Sequence, residues 1–296
     1  MIELVGNTPL VEITTLNQNP AVKVYGKLEG QNPGGSVKDR AALSMITGAI
    51  DRGELQDGVQ IVEATSGNTG IALAMIAAIK GIPITLLMPE SATEERKAAM
   101  KAYGATLILT DGDKGIEHSR AVAEEMASTN EYILLNQFGN EDNPLAHYRT
   151  TGPEIWRDTH QQITHFVSSM GTTGTIMGTS KFLKEQNSAI QIIGVHPEEG
   201  SRIPGIRKWS PEMVPSICDF SRVDDIRYVN AEQATAMTRT LAKTEGIMAG
   251  MSSGGAMTIA LELAKELEKG LIVCIICDRG DRYLSSTLFE SQTTSY

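Results

Sequence analysis

Short apolar runs alternate with longer segments of helical periodicity along the chain. A short apolar run bounded by glycine, proline or polar residues predicts a buried strand, and apolar residues that recur every three or four positions predict a helix. In the first half the predicted strands are 22–28 (at a sheet edge), 60–64, 84–89 and 106–110, and the predicted helices are 37–49, 71–80, 92–103 and 115–129. Strands and helices that alternate in this way form a parallel sheet covered on both faces.

The second half continues this alternation. Its predicted strands are 163–168, 191–195, 226–229 and 271–277, and its predicted helices are 146–159 and three that begin near Thr175, Ala231 and Gly255. We therefore predict an α/β protein with two lobes, each built on a mostly parallel twisted sheet covered by helices. Residues 197–215 are rich in proline and too long for an ordinary connection, so we expect this segment to be functional or mobile.

A turn rich in proline and glycine leads into the first predicted helix, and Ser36 is its predicted N-cap. A lysine in the first helical turn opposes the helix macrodipole, so helix propensity gives no reason for Lys38. The positive end of the helix and partial burial disfavour the ammonium form, and a neutral amine is a nucleophile suited to a Schiff base. The alternative is a surface lysine whose charged end lies in solvent.

Loops of serine, threonine and glycine stand where three helices begin, over 65–70, 171–175 and 252–255. Free backbone N–H groups, hydroxyls and the helix dipole make each loop a natural anion site, although helix capping alone explains any one of them. None has the spacing of a Walker loop or of a dinucleotide fingerprint, which disfavours ATP and NAD. An amine at Lys38, a phosphate at 171–175 and a carboxylate at 65–69 describe pyridoxal phosphate handling an amino acid.

The charge and cysteine content argue against several other classes of protein. The chain has 26 Lys and Arg against 36 Asp and Glu, a net charge of -10, which disfavours nucleic acid and anionic membranes. The start of the chain lacks the order of a signal peptide, and we expect a cytoplasmic protein. Cys274 and Cys277 lie three apart in a predicted strand and so point to opposite faces, and we expect no metal site.

Four motifs resemble those of the cysteine synthases, also called O-acetylserine sulfhydrylases. They are GNTPL at 6–10, PGGSVKDR at 33–40, TSGNTG at 65–70 and GTTGT at 171–175. The resemblance covers nearly the whole chain and implies a fold-type II pyridoxal 5'-phosphate enzyme, similar to the tryptophan synthase β subunit. It further implies a homodimer that makes L-cysteine from O-acetyl-L-serine and sulfide by β-replacement.

The same resemblance implies how the chain is divided and which residues act. A smaller, mobile lobe, 36–143, would carry the substrate-carboxylate loop, and a larger lobe, 1–35 and 144–296, the cofactor-phosphate loop. Lys38 would hold the cofactor covalently and act as the base, Asn68 would bind the ring oxygen, and a hydroxyl at Ser252 would suit β-elimination better than transamination. The implied phosphate-binding residues are Gly171, Thr172, Thr173, Gly174 and Thr175, and the implied substrate-binding residues are Thr65, Ser66, Gly67, Thr69 and Gln137.

Segments 197–200, 203–209 and 277–283 resemble the B type of these enzymes, in which basic residues are associated with thiosulfate as a second sulfur donor, giving S-sulfocysteine. The implied sulfur-donor residues are Arg207, Lys208 and Cys277. The resembled pattern has a second arginine where this chain has Lys208, which keeps the charge but loses the planar bidentate donor group. The alternatives are a solvated loop for the two basic residues and packing at a strand end for Cys277.

Other functions stay open from the sequence. A serine or threonine dehydratase or a cystathionine synthase would use the same amine and phosphate loop on other substrates, and a dehydratase would release a 2-oxo acid with no sulfur donor. A binding protein of the same fold would show no turnover. O-Phosphoserine also stays open as the substrate. The polar tail, 291–296, is predicted to be unstructured and is assigned no role.

Overall fold

The computed structural model describes residues 1–56 and 58–289, so the tail 291–296 lies outside the described residues. Within them, ten strands form two sheets. The strands are β1 Leu10–Glu12, β2 Val22–Leu28, β3 Gln60–Ala64, β4 Ile84–Pro89, β5 Thr106–Thr110, β6 Tyr132–Leu134, β7 His165–Ser169, β8 Gln191–Pro197, β9 Asp225–Val229 and β10 Gly270–Ile276. The helices are α1 Lys38–Asp51, α2 Asn68–Lys80, α3 Glu94–Ala102, α4 Gly115–Ala127, α5 Asp142–Ala146, α6 Gly152–Asp158, α7 Gly174–Gln186, α8 Ala231–Thr240 and α9 Met251–Glu266. None of the helices in the described part of the chain is both long enough and apolar enough to cross a membrane.

The larger sheet has the strand order β1-β2-β10-β7-β8-β9 and the smaller sheet the order β5-β4-β3-β6. β1 runs antiparallel to β2, and every other neighbouring pair is parallel. All six residues of β4 are buried, as expected where helices cover both faces of a parallel sheet. The predicted α/β architecture with two parallel sheets is confirmed.

Each sheet has its own hydrophobic core. The core of the smaller sheet includes apolar residues of α1 and α2 on one side, and a second cluster with Ala123 of α4 on the other. The larger sheet packs against α9 on one face and against α6 and α7 on the other. The two sheets therefore meet along surfaces that carry loops and polar side chains, and this junction holds the site described below.

Several details differ from the sequence prediction. β1 and β6 were not predicted because three residues are too few to show a periodicity, and β1 covers β2, which is therefore not an edge strand. α9 begins at Met251, earlier than the predicted Gly255. The N-cap of α1 is Val37 and not Ser36, whose Oγ instead accepts a hydrogen bond from the backbone N–H of Lys38 at 3.2 Å. The predicted helix 146–159 is longer, because α5 begins at Asp142.

A buried ionic cluster holds the first turn of α1. Arg40, 3% exposed, donates to both oxygens of Glu29 at 2.7 and 2.8 Å and to both oxygens of Glu154 at 2.7 and 2.8 Å. Lys27 completes the cluster at 2.8 Å from Glu154. Burial alone would raise the pKa of Glu154, but Arg40 and Lys27 hold it at about 2. The cluster ties α1 to the segment after β2 and to α6.

We expect Arg40→Met to destabilise the protein by about 3–5 kcal/mol, because it leaves two buried carboxylates without their main partner. Arg227→Met is the matched control, since Arg227 also binds a carboxylate with two bonds, to Glu266 at 2.7 Å each, but on the surface. The control should cost about 1 kcal/mol or less. Chemical denaturation of both variants measures the difference, and equal losses would contradict a special role for the buried cluster.

Candidate active site

The first turn of α1 lies against the carboxyl end of β10. The backbone N–H of Val37 donates to the carbonyl of Cys277 at 2.8 Å, and Ser36 pairs with Asp278 in an isolated β-bridge. Lys38 lies in the first turn of α1, as the sequence predicted, and is its first residue. Its side chain is partly exposed to two adjoining cavities. The Lys38 amine is thus placed where the two sheets meet.

An inner cavity of about 310 Å³ collects nearly all the residues expected at the cofactor. The expected residues that line it are Lys38, Asn68, Gly171, Thr172, Thr173, Thr175 and Ser252. They come from α1, α2, the turn before α7 and the first turn of α9, which lie far apart in the chain. Ser252 lies within the first turn of α9 and not in a preceding loop, as a consequence of the earlier start of that helix.

The environment of Lys38 lowers the pKa of its amine. Loss of hydration lowers its pKa, whereas the acidic groups of Cys277 and Asp278 nearby raise it, and the first effect is larger. Burial in turn raises the pKa of the Cys277 thiol and of the Asp278 carboxyl. Since a neutral lysine amine is the nucleophilic form, the site can supply the group that a covalently held aldehyde cofactor requires.

The turn before α7 forms an anion cradle. Thr173 has a left-handed backbone with φ 73°, and Gly174 begins the helix. The neighbouring hydroxyls are held in place, since Asn143 donates to Thr172 Oγ1 at 3.2 Å and Thr175 Oγ1 lies 3.3 Å from His147 Nε2. Thr173 Oγ1 is buried and has no hydrogen-bond partner among the described residues. A helix start with such a free hydroxyl suits a phosphate.

His147 contacts this cradle through Thr175 but does not line the inner cavity. It lies in a single turn of π-helical geometry, His147–Thr151, that joins α5 to α6, and its Nδ1 is 2.9 Å from Thr151 Oγ1. Burial, reinforced by the nearby Arg40 charge, lowers its pKa to about 3, so the ring is neutral near pH 7. His147 could not be identified from the sequence, because its spacing shows only the apolar and polar alternation of a helix.

The expected substrate loop spans the end of β3 and the start of α2. Thr65, Ser66 and Gly67 line an outer cleft of about 1140 Å³, which adjoins the inner cavity at Lys38. Thr69 donates from Oγ1 to Gln137 Oε1 at 2.8 Å, so the side chain predicted to lie opposite the loop does contact it. The loop stands at the carboxyl end of the smaller sheet, where open α/β sheets bind ligands.

Asn68 is held by the segment 277–283, which follows β10. Its Nδ2 donates to Asp278 Oδ2 at 2.7 Å, its Oδ1 accepts a bond from Arg282, and Tyr283 donates to the same Asp278 oxygen at 2.7 Å. Only Cys277 was predicted from this segment. The charged residues within 278–282 are the signal in the sequence that could have pointed to the rest of this segment.

The residues predicted for the sulfur donor do not form one group. Arg207 and Lys208 are exposed and line the outer cleft, whereas Cys277 lines the inner cavity and lies 3.3 Å from Ser169 Oγ. The Lys208 ammonium is placed over the ring of Tyr228, 5.5 Å from its centre. A guanidinium that was not predicted, Arg120 of α4, lines the same outer cleft.

A lysine with a depressed pKa shares one cavity with a helix start that suits a phosphate, which is the arrangement that a pyridoxal phosphate-dependent enzyme requires. The family model described as "Pyridoxal-phosphate dependent enzyme" matches residues 1–278, and the chain belongs to this family. The cofactor is therefore pyridoxal 5'-phosphate.

Within that class the chain belongs to the cysteine synthases. It is 56% identical over 288 residues to cysteine synthase B of Pseudomonas aeruginosa, covering 97% of this chain and 96% of the relative. It is 55% identical over 290 residues to cysteine synthase B of Escherichia coli, covering 98% and 96%. The crystal structure of cysteine synthase from Entamoeba histolytica has a TM-score of 0.94 and 39% identity, covering all of this chain and 91% of that one. The expectation of an enzyme that makes cysteine is confirmed.

A buried carboxyl group lies at the base of the expected substrate loop. Glu63 of β3 precedes Ala64 and the loop, and its Oε2 accepts a hydrogen bond from the backbone N–H of Asn136, the neighbour of Gln137. Burial raises the pKa of Glu63 from its ordinary 4.5 to about 8, although the Asn136 bond and the Arg120 charge lower it. Glu63 is thus largely protonated in the folded protein at neutral pH.

We expect Glu63→Gln to change how stability depends on pH. Between pH 4.5 and 8 the unfolded chain has lost the Glu63 proton that the folded chain keeps, so the contribution of Glu63 to the free energy of unfolding falls as pH rises. The slope from this group is up to about 1.4 kcal/mol per pH unit, and glutamine removes it. In denaturant titrations from pH 5 to 9, the free energy of unfolding of the variant should therefore rise relative to that of the wild type as pH increases.

The exposed Glu131→Gln, just before β6, is the control and should follow the wild type. If the free energies of unfolding of Glu63→Gln and the wild type change equally with pH over the whole range, Glu63 is not protonated in the folded protein.

Proposed function

We propose that the protein makes L-cysteine from O-acetyl-L-serine and sulfide by β-replacement. The observation that carries the proposal is the shared inner cavity, in which the Lys38 amine, the cradle before α7 and the Ser252 hydroxyl converge. The similarity to two cysteine synthase B enzymes supports this reaction over those of dehydratases and cystathionine synthases, which the sequence alone left open.

The residues around the inner cavity would have the following roles at the cofactor. The phosphate would be held by Gly171, Thr172, Thr173, Gly174 and Thr175, and the Ser252 hydroxyl would be the partner of the ring nitrogen. Pyridoxal phosphate, when bound, withdraws electrons from the Cα of the amino acid. Because Ser252 offers a hydroxyl and not a carboxylate, this withdrawal is moderate, which favours loss of a β-substituent over transamination.

Lys38 moves the proton. Its neutral amine takes the proton from Cα, the bond between Cβ and the acetyl oxygen breaks, and acetate leaves with the electron pair. Sulfide then forms a bond from sulfur to Cβ, and Lys38 returns the proton to Cα. One O-acetylserine and one hydrosulfide ion thereby give one cysteine and one acetate.

The substrate is positioned by the loop at the end of β3. Thr65, Ser66, Gly67 and Thr69 would bind its carboxylate, with Gln137 opposite, and the hydrogen bond from Thr69 to Gln137 already joins the two sides. Asn68 would bind the cofactor's ring oxygen, and its contacts to Asp278 and Arg282 fix the direction of its amide. The substrate therefore lies between the two sheets, over Lys38.

We further propose that thiosulfate serves as a second donor and gives S-sulfocysteine. Arg207 and Arg120 present two guanidinium groups to the outer cleft, which leads to Lys38. Lys208 lies on the same segment, but only Arg120 and Arg207 approach the same group, the Glu117 carboxylate, at 2.9 and 3.6 Å. We therefore assign the main part of the donor site to the two arginines. Cys277, in the inner cavity, would contact the donor only at the reaction centre.

The division into lobes is also a proposal. All strands of the smaller sheet lie between residues 60 and 134, inside the segment 36–143 that we propose to move against the rest of the chain. The separate cores of the two sheets support this motion. The homodimer and the cytoplasmic location stay predictions.

We expect Lys38→Ala to abolish covalent attachment of the cofactor and to lower turnover by roughly 10²- to 10⁴-fold or more, because both the attachment point and the base are lost. Reduction of the holoenzyme with borohydride followed by peptide mass spectrometry should find the cofactor on Lys38 in the wild type and on no lysine in the variant. Lys80→Ala, at the exposed end of α2, is the control. A Lys38→Ala enzyme that still turns over normally would refute the assignment.

We expect Arg207→Ala to raise the KM for thiosulfate by roughly three- to tenfold and the KM for sulfide by less. The reason is that the guanidinium attracts a doubly charged donor more strongly, so thiosulfate loses more binding energy when this cation is removed. Steady-state kinetics with each donor measure the two values. Arg222→Ala, on an exposed segment away from the cleft, removes the same charge as a control. Equal effects of Arg207→Ala on both donors would show that this residue does not bind the anion.

A further inference from the structure

A carboxylate lies between the two guanidinium groups at the mouth of the outer cleft. Glu117 Oε2 accepts a hydrogen bond from Arg120 Nη1 at 2.9 Å, and Glu117 Oε1 lies 3.6 Å from Arg207 Nη1. Glu117 and Arg120 belong to α4 on the smaller sheet, whereas Arg207 lies in the segment after β8 on the larger sheet. The three side chains are partly exposed and line the same cleft as Lys38.

Two aromatic rings keep the guanidinium groups in place. Arg120 lies over Phe138, 4.6 Å from the ring centre, and Arg207 lies over Trp209 at 5.0 Å. The two rings contact each other edge to face with their centres 5.4 Å apart. Trp209 also donates from Nε1 to the carbonyl of Gly171 at 2.9 Å. Because these stacked contacts hold the cations independently of Glu117, its removal would leave both cations at the cleft.

We propose that Glu117 is a specificity-determining residue, whose carboxylate competes with the anionic sulfur donor for Arg120 and Arg207. This inference rests on the proposed function of the outer cleft. Glu117 carries one negative charge at the place where a donor would meet the two arginines, so it both occupies their donor groups and repels the incoming anion. Repulsion grows with the product of the charges, and a dianion such as thiosulfate therefore meets twice the penalty of hydrosulfide.

The competing explanation is that Glu117 has only a structural role and links α4 to the segment after β8 through its ion pair with Arg207. A structural link would affect all donors alike, and its loss would loosen the cleft and weaken the binding of every donor. Competition for the arginines has the opposite sign, because removal of the carboxylate strengthens binding, and its size depends on the charge of the donor. The two roles are therefore separated by the direction of the change and by its dependence on charge.

The test uses the holoenzyme with Glu117→Gln, which keeps the shape of the side chain and removes its charge. Glu125→Gln is the matched control, an exposed glutamate on the same helix that does not line the cleft. We expect Glu117→Gln to lower both the KM for thiosulfate and the calorimetric Kd of thiosulfate by roughly three- to tenfold at low ionic strength, with a smaller fall in the KM for sulfide of about the square root of that factor. The gain should shrink as salt is added.

A double variant shows whether the effect passes through the arginine. In an Arg207→Ala background, Glu117→Gln should give a smaller gain in thiosulfate binding than in the wild type. Unchanged or weaker binding of thiosulfate by Glu117→Gln, or an equal gain from Glu125→Gln, would overturn the inference. If the wild type binds thiosulfate in calorimetry but converts only sulfide, the second-donor proposal fails while the binding comparison still decides the role of Glu117. Absence of thiosulfate binding in the wild type and in every variant would refute both the second-donor proposal and the proposed role of Glu117.

Discussion

The position of the Lys38 amine depends on a charge buried two residues further along the same helical turn. Arg40 binds Glu29 and Glu154 with two bonds each, and both carboxylates belong to elements around the larger sheet. The opposite face of α1 packs in the core of the smaller sheet through Ala41, Ala42 and other apolar residues. Since buried charges are satisfied in only one arrangement, the first turn of α1 is anchored to the larger sheet, and the amine with it. The proposed motion of the smaller lobe would therefore leave this turn in place.

The contacts between the sheets around the site are polar, whereas each sheet keeps its apolar residues in its own core. Asn68 contacts Asp278 across the inner cavity, and Glu117 faces Arg207 across the outer cleft. Interfaces of this composition allow the two sides to move more readily than a shared hydrophobic core would. The loop proposed for the substrate lies on one side and the phosphate cradle on the other, so a relative motion of the lobes would open and close the space above Lys38.

Much of the fold could be predicted because parallel sheets leave a strong pattern in the chain. Buried strands such as 84–89 are apolar throughout, and the helices between them show a clear periodicity. The convergence of Lys38 with the loops at 65–70 and 171–175 could be inferred only from the chemistry, because an amine and two anion sites together suit pyridoxal phosphate and an amino acid. The strand pattern could not show it, since the two loops follow strands of different sheets. The strands β1 and β6 could not be predicted because three residues are too few to show a periodicity.

Side-chain partners across the junction could not be predicted in this way. Asp278, Arg282 and Glu117 are ordinary charged residues in the sequence, and their roles depend on which distant residue each one faces. The placement of Lys208 over Tyr228 depends likewise on a strand twenty residues further along. Only the folded chain shows that Arg120, and not Lys208, stands opposite Arg207.

The most direct test of the proposed reaction is to mix the holoenzyme with O-acetylserine in the absence of any sulfur donor and to measure acetate and 2-oxo acid over time. We expect one acetate per active site to be released quickly, after which release nearly stops until sulfide is added and an equal amount of cysteine forms. Steady production of pyruvate without sulfide would contradict a synthase and identify a dehydratase instead. Absence of acetate release would show that O-acetylserine is not the substrate.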